Sequence, residues 1–303
     1  MQDGIEGASL SRSLIRRLRV ELYRARHLGF RRYARTAWRR RTLPQTFQPR
    51  ADAPFDFGAD VPIVLHESTL PGVRSHLVDD GGGTEELDAL KRLAGGHSTF
   101  LDIGAAAGVF SAAFCALTGN RAYAFEPSSA MFERLESLIG LNPRLQVTPV
   151  NLALGAVAGS QLVTVSSNSQ FRAAGTSDTD TETMSVETLD GFVNAHEMTP
   201  DFAKVDVEGM ELQVLRGGAE TFTRSIDTLM LEVHPKRLVD GDLGDVQALL
   251  VEYGFALYTL AFEPISDLAG HVASGPPAWR RATNLVCLKG SVASHGTWAR
   301  SRV

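Results

Sequence analysis

The sequence predicts an α/β fold, a mostly parallel sheet finished by an antiparallel pair, and three stretches carry that expectation. Thr99 to Pro127 reads as strand, glycine-bearing turn, helix and strand. Asp201 to Gly218 reads as a short apolar strand, an acidic turn and a helix closed by Gly217 and Gly218. Thr228 to His234 is an apolar strand that ends in an acid and a histidine. Strands alternating with helices form a parallel sheet whose ligand crevice lies beyond the carboxyl ends of the strands, and the acidic residues fall at those ends.

In chain order, residues 11 to 50 come first, with thirteen arginines, no lysine and one acid, Glu21. That segment is +12, and with a net charge of -5 for the chain the remainder is -17. Ile15, Leu18, Leu22 and Ala25 recur at helical spacing between the arginines, so residues 11–41 read as basic amphipathic helices. Three uses remain open for them: cover over the acidic body, peripheral contact with an anionic membrane, or nucleic-acid binding, which ranks last. The predicted organisation is a basic arm and linker over 1–60, a catalytic domain over 61–290 and a tail over 291–303. Hydrophobic content of 44 % suits a globular core. No apolar run has bilayer length and no signal peptide is evident, so the cytoplasm is the default compartment, with the arm allowing peripheral membrane contact.

Pro44, Pro49 and Pro54 mark a linker, and VPIVLHE followed by VRSHLVDDGGG suggests a hairpin. Thr84–Leu93 reads as a helix leading into the first central strand. After Pro127, Met131, Leu135, Leu138 and Ile139 give the core face of an amphipathic helix that Ser128 or Ser129 can cap. A third strand spans Gln146–Val150, and Ser166–Thr183 is a polar excursion placed to act as a lid or as a plain insertion. Leu243–Tyr253 is a helix, and FALYTLAF and TNLVCLKG are strands joined by a long loop and therefore antiparallel. Cys115 and Cys287, each inside an apolar element, are expected to be buried free thiols.

The glycine turn discriminates between cofactors. A dinucleotide fingerprint needs glycine at its first, third and sixth positions, but these hold Gly104, Ala106 and Val109. Asp102 just before the turn would repel a diphosphate and attract an ammonium group. S-adenosyl-L-methionine carries an ammonium, a sulfonium and a ribose and no phosphate, so it is the expected cofactor. Gly104, Ala105 and Gly108 would pack their backbone beside its methionine part, with Asp102 near the ammonium and Glu126 accepting from the ribose hydroxyls. Asn151 and Ala153, at the next strand end, are expected beside the adenine. Asp206, Glu208, Glu232 and His234 share the adjoining strand ends, where His234 is the candidate general base, held or polarised by Glu208 or Asp206. A divalent cation on these groups is the lesser alternative.

FLDIGAAAGVFS, AFEPSSAMFERL, KVDVEGMELQVLRGG and LMLEVH together resemble the FkbM family of S-adenosylmethionine-dependent methyltransferases, over about Leu87 to Lys289. The resemblance implies a Rossmann-like class I methyltransferase fold, with a seven-stranded, mostly parallel sheet and an antiparallel last strand. It also implies methyl transfer mostly to hydroxyl oxygen, on a sugar, glycolipid, polysaccharide or secondary metabolite, so the expected partner is a small-molecule, glycan or glycolipid acceptor. Asp102, Gly104, Gly108 and Glu126 match the family's cofactor positions, and Asp206, Glu208 and His234 match its acidic and EVH positions. The family usually has Asn after Gly-Ala in the turn, where this chain has Ala106. An RNA methyltransferase, which the arm would favour, and an inactive scaffold are the alternatives.

Overall fold

The computed structural model describes residues 54–55, 62–67, 70, 82–165, 171–173 and 181–290. The predicted basic helices, most of the linker, the stretch 73–81, the excursion 166–170 and 174–180, and the tail lie outside the described residues. Two short strands, β1 (Pro54–Phe55) and β2 (Ile63–Val64), pair antiparallel, so the partner of the Ile63 strand is Pro54–Phe55, within the predicted linker.

Helix α1 (Gly82–Leu93) leads into β3 (Thr99–Ile103), α2 (Val109–Thr118), β4 (Arg121–Phe125), α3 (Ser129–Leu141) and β5 (Gln146–Val150). Ser128 caps α3 by accepting from the Met131 N–H. Asn142, just past α3, bonds both backbone groups of Val64 and thereby docks β2 onto the domain. The chain then leaves the sheet through β6 (Ala153–Leu154), β7 (Gly159–Val165), β8 (Phe171–Ala173) and β9 (Thr181–Glu187), which form a separate four-stranded sheet in the order β6-β9-β7-β8. The predicted excursion thus has its own folded base.

Helix α4 (Leu189–Ala195) returns the chain to β10 (Phe202–Val205), followed by α5 (Glu211–Gly217), α6 (Ala219–Arg224) and β11 (Thr228–Val233). Helix α7 (Leu243–Glu252) starts at a capping box made by Asp242 and Asp245. It is followed by β12 (Ala256–Thr259), β13 (Pro264–Ile265), α8 (Leu268–Ser274), a 3₁₀ turn (Pro277–Arg280) and β14 (Thr283–Leu288). The predicted long loop between the last two strands therefore contains a helix and a two-residue strand.

The main sheet runs β13-β12-β14-β11-β10-β3-β4-β5. From β11 to β5 every pairing is parallel, whereas β14 runs antiparallel to both β11 and β12. The seven predicted strands are all present, the last of them antiparallel, and β13 adds an eighth at the edge. Side chains alternate between two cores. Phe100, Phe202 and Met230 face α1, α2 and α3, while Leu101, Ile103, Ala203, Val205 and Leu231 face α4 to α8. Both cysteines are buried and free. Among the described residues no helix is long and apolar enough to cross a membrane.

Phe202 joins the strand face to α2: its ring centroid lies 5.0 Å from that of Phe100 and 6.0 Å from that of Phe114, and it is fully buried. Phe202→Ala is expected to cost about 3–5 kcal/mol of unfolding free energy. Equilibrium denaturation checks this, and a loss under about 1 kcal/mol would mean that this ring cluster does not hold the sheet to α2.

Candidate active site

The carboxyl ends of β5, β4, β3, β10 and β11 lie side by side, and the candidate site is built where they end. The turn after β3 is clamped from two sides. The Gly104 and Ala105 N–H groups both donate to the Phe125 carbonyl, at 3.0 and 2.9 Å. Gly104 has φ 85, and a Cβ there would stand 1.9 Å from the Asp206 carbonyl oxygen, so only glycine lets β3 and β10 approach at this point. Gly108 ends the turn at φ 79 and starts α2.

Asp102 is 1 % exposed. Its Oδ2 accepts from the Ser111 N–H and hydroxyl, at 3.0 and 2.7 Å, so it anchors the first turn of α2. Its Oδ1 is buried without a hydrogen-bond partner among the described residues. Burial pushes its pKa up against the opposing pull of Lys204. Glu126 accepts from the Ala106 N–H through Oε2 and from the Ser128 N–H through Oε1, each at 2.8 Å. Burial raises its pKa to about 7 in spite of these bonds. The Asn151 amide donates to the Glu126 and Pro127 carbonyls, and Ala153 lies in β6, paired with Val186 of β9.

An orphaned carboxylate oxygen at Asp102 and a second buried carboxylate across the turn fit a ligand with a positive end and hydroxyl donors, and disfavour a diphosphate. These residues therefore fit S-adenosylmethionine.

Across the crevice, Lys204 of β10 is 4 % exposed and pairs in register with Asp102. Its ammonium donates to Asp206 Oδ2 at 3.0 Å and lies 4.8 Å above the Phe110 ring. Burial lowers its pKa, but the charges of Asp206, Asp102, Glu86 and Glu232 outweigh that and leave it raised. Glu232 is pushed well up, by burial first and by Asp206 second.

His234 follows β11. Its Nδ1 lies 2.8 Å from Glu211 Oε1, and Glu211 at the start of α5 is fully buried, its Oε2 without a partner among the described residues. Nε2 lies 3.4 Å from Glu208 Oε2 and 3.9 Å from Glu232 Oε1. The group hydrogen-bonded to the imidazole is Glu211, which the sequence did not point to, while Glu208 and Asp206 act on it by charge. Asp206 is bonded to Lys204, and Glu208, at φ 54, pairs with Arg237. Burial alone would lower the His234 pKa, but the Glu211 hydrogen bond and the charges of Glu211, Asp206 and Glu208 raise it above 6.5. Among the described residues no group of three or more His, Cys, Asp and Glu has metal-holding geometry.

Two residues escaped the sequence reading. Lys204 carried a signal, a lysine between apolar neighbours on a buried strand, which demands counter-charges. Glu211 carried almost none, because an acid in the first turn of a helix is ordinary.

Residues 102–257, more than half of the chain, match the family model of the methyltransferase FkbM domain. Hexuronic acid methyltransferase AglP of Haloferax volcanii is 32 % identical over 155 residues, 50 % of this chain and 60 % of the relative, so the match spans under two thirds of that protein's length. Among solved structures, methyltransferase FkbM from Methylobacillus flagellatus aligns with 63 % of this chain and 43 % of its own at 16 % identity and a TM-score of 0.42. Magnesium protoporphyrin IX methyltransferase (ChlM) from Synechocystis aligns with 94 % of this chain and all of its own at 14 % identity and a TM-score of 0.42.

Lys204→Met removes the cation between the buried Asp102 and the half-buried Asp206 carboxylates and is expected to cost about 3–5 kcal/mol at pH 8. Without Lys204 the folded-state pKa of Asp102 rises further above its unfolded value near 3.8. The folded variant then binds more protons than the unfolded chain between those two values, so its stability should recover as pH falls. Urea unfolding at pH 8 and pH 5 measures the difference, and an equal loss at both would remove the charge argument.

Proposed function

The chain belongs to the methyltransferase FkbM family, and on that premise we propose that it transfers a methyl group from S-adenosylmethionine to a hydroxyl oxygen of a sugar or sugar-bearing acceptor, with His234 as the general base. The observation that carries this is the hydrogen bond from a strand-end imidazole to a fully buried carboxylate, two strands from a turn that fits the cofactor. The name of the Haloferax volcanii relative includes a sugar acid, which supports a carbohydrate acceptor.

In this proposal Asp102, the backbone of Gly104, Ala105 and Gly108, and Glu126 hold the cofactor, and Asn151 and Ala153 border its base. When bound, it supplies a methyl group on a sulfonium centre. The protein's task is then to align a hydroxyl and to remove its proton, because an alcohol is a weak nucleophile at neutral pH. With Glu211 accepting from Nδ1–H, the Nε2 lone pair is the one left for the acceptor, on the side where Glu208 and Glu232 lie. The acceptor hydroxyl donates to Nε2 as its oxygen attacks, and the proton stays on an imidazolium stabilised by Glu211. Glu208 and Asp206 line the same strand end and orient the acceptor. Raising the imidazole's basicity strengthens it as a proton acceptor, at the cost of a larger protonated fraction at neutral pH.

His234→Ala should bind S-adenosylmethionine in calorimetry as the wild type does and lose about 10²–10⁴ in turnover. Because the neutral imidazole is the working form, turnover should rise with pH along a limb centred above 6.5, and Glu211→Gln should move that limb to lower pH. Labelled methyl transfer to a glycan or glycolipid extract and to RNA, run side by side, identifies the acceptor class. Label in RNA alone, or full turnover by the alanine variant, would overturn the proposal.

A further inference from the structure

Glu208 faces Arg237 and His234 with one oxygen. Its Oε2 pairs with Arg237 and also lies 3.4 Å from His234 Nε2. That second distance is within ion-pair range but longer than the ordinary 2.9–3.0 Å of an N–H···O bond.

The backbone fixes both partners of Arg237. The Arg237 and Leu238 N–H groups bond the His234 carbonyl at 2.8 and 3.1 Å, so a tight turn fixes the Arg237 backbone to that of His234. Glu208 occupies a left-handed conformation at φ 54, and Gly209 follows at φ 115, where a Cβ would stand 2.4 Å from the Arg237 carbonyl oxygen. The Val239 N–H closes the contact by donating to the Gly209 carbonyl at 3.0 Å. A left-handed conformation is unfavourable for glutamate, so this placement of the carboxylate is imposed by its surroundings.

We propose that Arg237 is a positioning residue: by pairing with Glu208 it holds that carboxylate off His234 Nε2 and so keeps Nε2 open to the acceptor hydroxyl. This rests on His234 being the base. The imidazole is faced by Glu211 from α5, by Asp206 and Glu208 from the turn after β10 and by Glu232 from β11, and Arg237 joins this group through Glu208. Arg237 is the permanent cation of that set. Without it, Glu208 closes on Nε2 in a charge-assisted bond that retains a proton there and occupies the site of the acceptor. Arg237 and Glu208 side chains are 45 % and 40 % exposed, so the carboxylate has room to make that move.

The test uses the full chain. Nuclear magnetic resonance titration of the His234 ring in Arg237→Met should show its pKa raised by about one unit, with a smaller neutral fraction near pH 7. Arg237→Lys should restore the wild-type value, and Glu208→Gln added to Arg237→Met should cancel the rise. With a working acceptor, turnover of the methionine variant should fall about tenfold at pH 7 and recover at pH 9, with cofactor affinity unchanged. An unchanged or lowered His234 pKa in a folded Arg237→Met variant would overturn the proposal, as would a rise that survives removal of the Glu208 carboxylate. His234→Ala retaining full turnover would instead overturn the choice of base, which separates the two failures.

Discussion

The buried ammonium of Lys204 is the constraint on which the strand ends depend. It sits where β3, β10 and β11 finish side by side, in register with Asp102, bonded to Asp206 and within the field of Glu86 and Glu232. A parallel sheet with helices on both faces can bring acids to one edge, but it cannot leave them there as unpaired charges in a dry interior. One lysine on the central strand makes such a density of carboxylates compatible with folding. Its ion pairs do not have to be strongly stabilising in themselves, since removing one partner costs more than forming the pair gains.

The two halves of the crevice follow from that arrangement. On the β3–β4 side the carboxylates act mainly on backbone: Asp102 starts α2 through Ser111, and Glu126 ties the glycine turn to the entry of α3. On the β10–β11 side they act on side chains: Asp206 on Lys204, Glu208 on Arg237, Glu211 on His234. Carboxylates of the first kind hold the turn in shape. Those of the second kind set the protonation of an imidazole. The sheet therefore separates carboxylates that tie down backbone from carboxylates that act on Lys204, Arg237 and His234 by the width of one strand.

Much of this was legible in the sequence because strand ends are marked by composition. An apolar run broken by Asp, Glu or His before a turn identifies a carboxyl end wherever it occurs, and β3, β4, β10 and β11 are all broken in that way. The partner of an imidazole is not marked, since Glu211 lies 23 residues from His234 and only the approach of α5 to the end of β11 brings them together. The β1 strand was not legible because a two-residue strand that includes a proline has no alternation to detect. The four-stranded sheet of β6 to β9 was visible only as alternating segments, because its antiparallel pairing joins residues across a polar run that carries no packing signal. Sequence patterns report a residue's own environment, whereas the charge network is a property of pairs.

Ala106 shows how such pairings offset a local cost. It lies at φ 49, a conformation that asparagine tolerates better than alanine because its short amide can bond locally. An asparagine here would bring its own donor to the turn. Alanine brings none, so the stretch leans on the Ala106 N–H, which donates to Glu126, and on the two N–H groups that the Phe125 carbonyl accepts. The Glu126 carboxyl, raised to about 7 by burial, is a better acceptor ionised than protonated. With alanine here the turn is closed by backbone donors alone, and the Ala106 N–H bond to Glu126 is stronger when that buried acid is ionised.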